Sequence, residues 1–432
     1  MINPNEFSTT RSEAKELKSQ KNWQDAVILY EKIYSSDCDR WIAWEYADCL
    51  KKLSRLDESI EVSKALLQRE RSLLHNNNFL SWLLYEKYFK KIKEKYTYQD
   101  LNQLYNITLS VSTFTSQDNK SAYEKIIFQM LKIIKNHGNN PTEKMLSLLE
   151  KLDVDKLSEE AGKYERNGRE QEYQSKKEMY YSLKTKALFD CEKYEDCIVC
   201  CDEALSRFTQ FHHDNKTWLI ARKAVCLAET GDTDTAISDL KEAVVHRNHW
   251  SLFEKIAKIY LIKNDNNMAL LYYCRAAITS DSPKMKVSLY FDMAKLLLSM
   301  DDTKSAWKHL CFAKSVREKE GWNIPNEMER LYNEISSHNY DSDIKSHQLK
   351  DFWLNTIYKS LGQRIGIVSK MNGGGKSGFI ESEKRSYFFK TSAIMGKPYI
   401  NAKDRVSFCI VDSYDAKKKQ KSTECGYIKI EK

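Results

Sequence analysis

Two phenylalanines, Phe379 and Phe388, stand in a segment crowded with cations: Lys370, Lys376, Arg385, Lys390, and a run holding Lys417, Lys418, Lys419 and Lys421. Flat aromatic rings beside ammonium and guanidinium groups are what a protein needs to hold unpaired bases. Each ring that stacks a base contributes about 1–3 kcal/mol with little regard to sequence. Each cation on a phosphate adds a sequence-blind, salt-sensitive contact. The chemistry that rings and cations of this kind could do is contact with nucleic acid. The 417–421 run reads equally as a solvated loop or as part of that surface.

Charge distribution points the same way. Residues 361–432 hold 12 Lys and 3 Arg against 7 Asp and Glu, which accounts for the whole formal net charge of +8. The preceding residues carry as many acids as bases. A basic end on a neutral body suggests nucleic acid at one end and a different partner at the other.

No catalytic or cofactor chemistry emerges. Gly373-Gly374-Gly375-Lys376-Ser377 is no phosphate loop, because Lys370 stands where that motif needs its first glycine and the chain continues as a strand after Ser377. Cys197 and Cys200 form one CxxC without the second pair a structural zinc site wants. His212, His213 and Asp214, or His246 and His249, lack further ligands nearby. No nucleophile elbow, zincin or dinucleotide fingerprint is present. The expectation is a non-enzyme without metal or cofactor.

The 11 cysteines, an odd number, fall in helical apolar stripes and read as reduced, buried thiols. The first residues have neither a basic nor an apolar leader region, and no run of about 18 apolar residues occurs. A cytosolic protein with no membrane span is expected.

The body that would carry this module is helical and repetitive. Low Pro and Gly content, 5 and 13 residues, suits helices. From about residue 180 to 320 a turn rich in Gly, Asp or Asn is followed by a small residue, then an apolar or aromatic one four positions on and a small one three beyond that. The anchors are Cys197, Ala236, Ala269 and Ala306, with Ala224, Ala257 and Ala294 each twelve residues before the last three. Helices cross closely only where small side chains let their backbones approach. A weaker copy runs through Ala26, Tyr30, Ser59 and Ser63. This pattern resembles the tetratricopeptide repeat, helix–turn–helix units of about 34 residues. That resemblance implies a solenoid whose groove binds protein or peptide.

Five segments are expected: 1–70 as repeat-like hairpins, 71–180 as less regular helices, 181–340 as the main repeats, 341–361 as a capping helix, and 362–432 as the basic module. Within the second, 78–95 and 121–136 read as amphipathic helices, and 157–174 as a solvated helix or a mobile loop.

In the last segment the pattern switches to short strands: 364–369, 378–381, 387–390, 406–411 and 426–430, with a turn at Asn372–Gly375. Five short strands suit a small antiparallel β-barrel, an OB-fold being the leading choice. Gly366-Ile367-Val368-Ser369-Lys370-Met371-Asn372, Gly378-Phe379-Ile380, Tyr387-Phe388-Phe389-Lys390, then Ser392-Ala393-Ile394, and Val406-Ser407-Phe408 resemble, in order and spacing, the cold-shock domain. The departures are Lys370 for the family's exposed Trp, Ser377 for its first motif aromatic, Lys390 for its His and Thr391 for its Phe. Phe379 and Phe388 are the stacking positions that survive, so the resemblance implies unpaired bases of single-stranded RNA or DNA on those two rings, with Lys370, Lys376, Arg385, Lys390, Lys417, Lys418, Lys419 and Lys421 on the phosphates and little sequence preference.

The fold class is thus mostly α, a repeat solenoid followed by a five-stranded barrel. The function expected is an adaptor with an unidentified protein on the solenoid and single-stranded nucleic acid on the barrel. Two rivals stay open: a pure interaction scaffold, and a non-catalytic regulatory subunit of a bacterial stress or defence complex.

Overall fold

A computed structural model describes residues 4–35, 38–137, 142–336, 344–396, 399–415, 418 and 420–431. It divides into two compact units, Met1–Lys193 and Tyr194–Lys432.

The first unit runs α1 (Pro4–Ser19), α2 (Trp23–Ile33), α3 (Arg40–Lys52), α4 (Leu56–Arg69), α5 (Leu74–Leu84), α6 (Tyr98–Phe114), α7 (Tyr123–His137) and α8 (Thr142–Leu149). Then come β1 (Gly162–Arg166), β2 (Arg169–Tyr173) and α9 (Lys176–Asp190). The small residues expected at close helix approaches are where they should be: Ala26, Ser59 and Ser63 have no exposed surface, and the Ser59 hydroxyl donates to the Ala47 carbonyl at 2.7 Å.

Two expectations in this unit need correcting. The helix expected over 78–95 is α5, which begins at Leu74 and ends in a wider turn at Tyr85–Phe89. The stretch 157–174 is neither helix nor featureless loop but chiefly an antiparallel β-hairpin. Its turn is Asn167-Gly168, both with positive φ (+54° and +71°), the two-residue geometry that matches strand twist.

The second unit opens with α10 (Tyr194–Arg207), α11 (Asn215–Glu229), α12 (Thr233–His246), α13 (Trp250–Ile262), α14 (Asn266–Ala277), α15 (Val287–Ser299) and α16 (Thr303–Lys319). It continues with α17 (Asn326–Ser336) and α18 (Ser346–Leu361). Cys197, Ala236, Ala269, Ala306, Ala224, Ala257 and Ala294 are all wholly buried, so the repeat anchors are the helix crossings. The Gly/Asp/Asn-rich turns have a shared design. Gly231, Asn264 and Asp301 take positive φ, and the next residue, Asp232, Asp265 or Asp302, caps the following helix by accepting from its third backbone N–H. Asp265→Ala is expected to lower stability by about 1 kcal/mol, read as a shifted denaturant midpoint at unchanged slope.

The helix at 341–361 was expected to cap the open end of the array. Instead α18 lies back across α14 and α16, the second helices of two hairpins. Its apolar side explains this: Leu349, Trp353, Leu354, Ile357 and Tyr358 are buried in the array's own core. Nine of the 11 cysteines are buried and Cys38 and Cys191 half-buried.

The chain ends in a closed barrel of β3 (Arg364–Met371), β4 (Ser377–Ser382), β5 (Arg385–Lys390), β6 (Arg405–Asp415) and β7 (Gln420–Ile430), in the order β3-β4-β5-β7-β6. Val368, Ile380, Phe389, Ile400, Val406, Phe408, Cys425 and Ile428 fill it. Gly378 is required where β4 crosses the Phe389 ring, because a Cβ there would lie 2.4 Å from the Lys370 carbonyl and 2.8 Å from that ring. The expected five-stranded antiparallel barrel is present, its β3–β4, β4–β5, β3–β6 and β6–β7 pairs all antiparallel. Its closure between β5 and β7, at Phe389 and Cys425, is parallel, because the chain crosses over before β6.

Candidate nucleic-acid interface

Alternation along β4 and β5 decides where the rings point. Ile380 and Phe389 face the interior and are fully buried. Their neighbours Phe379 and Phe388 therefore face outward, directly paired across the two strands and half-buried. The rings sit 5.7 Å apart, edge to face at 68°. Lys370 on β3 is in register with Phe379, so one ammonium stem flanks the pair.

The cations divide into three groups. Lys370, Lys376 and Arg385 are exposed and have no ion-pair partner among the described residues. Lys376 is held on the β3–β4 turn, its carbonyl accepting from the Thr391 N–H and hydroxyl. Arg385 opens β5 on the parity of Tyr387 and Phe389, so it stands at the barrel's rim and not on the aromatic face. Lys390 and Lys421 are engaged. The Lys390 ammonium is 2.8 Å from Glu424, and Lys421 lies 3.8 Å from Glu242 on α12. Lys418 closes the β6–β7 turn through its N–H to Asp415. Lys417 and Lys419 lie outside the described residues.

Some residues on this face carried no signal in the sequence. Ile365 and Ile367 on β3 are 51% and 54% exposed, and Glu381, in register with Ile367, is exposed beside them. Tyr399, on the connection to β6, is 85% exposed. The run Arg364-Ile365-Gly366-Ile367-Val368 offers apolar residues of both parities, so its outward side could not be told from its inward side.

The opposite wall of the barrel is fastened to the helices. The Tyr358 hydroxyl on α18 donates to the Tyr427 carbonyl at 2.7 Å and lies 3.1 Å from the Ser407 hydroxyl. Burial pushes that phenol's pKa up to about 12. Arg275 on α14 donates from Nε to the Tyr427 hydroxyl at 2.9 Å, its guanidinium over the rings of Phe253 and Tyr272. Tyr427 adopts a left-handed φ of +54°, a cost of order 1–2 kcal/mol for a non-glycine residue that these contacts hold in place. The helices thus pack on β6 and β7, and the part-exposed faces of Phe379 and Phe388 belong to β4 and β5.

On the array itself, an open cleft of about 420 Å³ lies among α13, α14 and α15. Lys258, Asp292 and Lys295 line it, with Lys258 3.6 Å and Lys295 3.4 Å from Asp292. No group of side chains among the described residues is arranged to hold a metal, and no described helix is long and apolar enough to cross a membrane.

A family model described as "Domain of unknown function (DUF7017)" matches residues 217–357, from α11 to α18, and stops short of the barrel. No curated protein matches the chain. Among solved structures, a tetratricopeptide repeat protein from Parabacteroides merdae aligns at 14% identity and TM-score 0.38, over 69% of this chain and 98% of its own. BtubC from P. vanneervenii aligns at 11% and 0.30, over 64% and 93%. MamA MSR-1 C2 aligns at 13% and 0.28, over 42% and 94%. The repeat geometry described above stands on the chain's own hairpins and buried anchors.

Proposed function

We propose that this chain is a non-catalytic adaptor: the helical array binds a protein segment, and the barrel binds single-stranded RNA or DNA with little sequence preference. The observation that carries the reading is the outward, half-buried Phe379–Phe388 pair, flanked by Lys370, on β4 and β5. Strand order supports it. β4 and β5 are the second and third strands of a Greek-key-like closed barrel, the face on which OB-folds carry oligonucleotides, with the first and fourth connections bordering it. Lys376 lies on that first connection, and Lys418 on the fourth. The likeness of Gly378-Phe379-Ile380 and Tyr387-Phe388-Phe389 to the cold-shock motifs is a second support.

The test is fluorescence anisotropy of the full chain with labelled single-stranded RNA and DNA at two salt concentrations. Two platforms at the weak end of base stacking contribute about 2 kcal/mol, so Phe379→Ala with Phe388→Ala is expected to weaken binding about 30-fold. Raising salt should weaken it further. An unchanged affinity in the double variant, or no binding at low salt, defeats the reading.

The scaffold alternative has its own observations. Ile365 and Ile367 give the wall an apolar patch, and Glu381 puts a carboxylate where a phosphate would pass. A scaffold would keep its partners after nuclease treatment and lose them on Ile367→Asp. The adaptor would release nucleic-acid-dependent partners on nuclease alone.

A further inference from the structure

We infer that the β1–β2 hairpin of the first unit is a second, independent contact for single-stranded nucleic acid. None of the residues on either strand is buried, so the hairpin does not stabilise the helices by burial. An isolated two-stranded hairpin is marginal in water, which leaves its surface as the reason for its presence.

That surface is sharply divided by register. Gly162, Tyr164 and Arg166 pair with Tyr173, Gln171 and Arg169 and share one face. Lys163 and Glu165 pair with Glu172 and Glu170 on the other. One face therefore carries two tyrosines and two positive charges with no carboxylate, while the other carries one lysine against three glutamates.

Two details of the basic face point to a ligand. Arg166 stands directly opposite Arg169, a like-charge cross-strand pair that opposes hairpin formation unless an anion lies between. Neither guanidinium has an ion-pair partner among the described residues. Beneath them the Tyr173 ring lies across Gly162, where a Cβ would come within 2.0 Å of it. Glycine there lets the ring lie flat on the strand. Tyr164 lies 5.9 Å from it, centroid to centroid, its hydroxyl donating to Gln171 at 2.8 Å. The two rings are 37% and 48% exposed. Fixed, exposed rings below a paired-guanidinium tip match a chain that offers phosphates and flat bases together. An acidic peptide offers only the charge.

The experiment uses the full-length chain carrying Phe379→Ala and Phe388→Ala, so that base stacking on the barrel is removed and only its phosphate contacts remain, with a fluorescein-labelled oligothymidylate. Residual binding is expected. Adding Arg166→Gln and Arg169→Gln should weaken it about tenfold and lower the slope of log affinity against log salt by about 1.4, the value for two phosphate contacts on a single strand. Lys163→Gln, on the opposite face, should leave it unchanged, and polyglutamate should compete poorly. No residual binding, a double arginine variant that binds like its parent, an equal loss from Lys163→Gln, or efficient competition by polyglutamate each overturns the proposal. Failure of the barrel reading looks different, since Phe379→Ala with Phe388→Ala would then change nothing while the arginine pair still mattered. Because the hairpin is wholly on the surface, unchanged thermal unfolding confirms that the variants are folded.

Discussion

Trp353→Ala is expected to destabilise the second unit by about 4 kcal/mol and to loosen the barrel along with α18. Trp353 is 2% exposed and stacks on Tyr290 of α15 at 5.7 Å and 7° between planes. Its indole Nε1–H donates to His309 Nε2 on α16 at 2.8 Å. Truncation removes a large apolar volume from a filled core and leaves a buried acceptor unpaired. One turn and a half further along the same helix, Tyr358 holds the Tyr427 carbonyl. Loss of α18's anchor should therefore spread to β6 and β7. Hydrogen exchange is the measurement, with faster exchange expected in α18, β6 and β7 together and little change in the first unit. Trp353→Phe, which keeps a ring on Tyr290 but loses the N–H, should cost roughly half as much. If Trp353→Ala leaves the unfolding midpoint in place, or if exchange rises in α18 alone, the coupling described here is wrong.

The second large effect is a loss of stability in mild acid that originates at one histidine. His309 is wholly buried, and its two nitrogens are committed. Nδ1–H donates to the Ser305 carbonyl at 2.7 Å, and Nε2 accepts from Trp353. A second ring proton would meet the indole N–H head on. Burial, only partly offset by the Ser305 carbonyl, pushes its pKa down to about 4 from the ordinary 6.5. Between those values the unfolded chain binds the proton and the folded chain does not. The contribution is thus fully present above pH 6.5 and is lost as pH falls towards 4. The full difference is about 3 kcal/mol, of which about 2 kcal/mol is gone by pH 5. His309→Gln, which does not titrate, should flatten that part of the profile when unfolding free energies are compared at pH 7 and pH 5. Parallel profiles for the two proteins would show that the acid sensitivity arises elsewhere.

Legibility in the sequence followed the range of the interactions. The repeat anchors were readable because a small residue at a helix crossing is demanded by packing within one hairpin, and Ala224, Ala236, Ala257, Ala269, Ala294 and Ala306 all fill that role. The barrel strands were readable because short alternating segments and the Asn372–Gly375 turn are local signals. They erred mainly in length, β6 and β7 each running well past the expected ends. The β1–β2 hairpin was missed because both its faces are polar and no apolar alternation marks it, although Asn167-Gly168 is a strong hairpin turn. The position of α18 was missed because an amphipathic stripe reveals that a face is buried but not against what. Arg275 and Tyr427 are 152 residues apart, and nothing near either forecasts the other. On the candidate site, the outward parity of Phe379 and Phe388 was legible, but the pairing of Lys390 with Glu424 and the exposure of Ile365 and Ile367 depended on closure of the barrel.

Under the adaptor reading proposed above, the fastening of β6 and β7 to α12, α14 and α18 would make one measuring instrument of two modules. A protein held against the repeats and a strand lying over Phe379 would be kept at a set distance and bearing, as by a ruler and not a leash. Partners whose own spacing differs from that interval would be rejected, even if each half bound well alone.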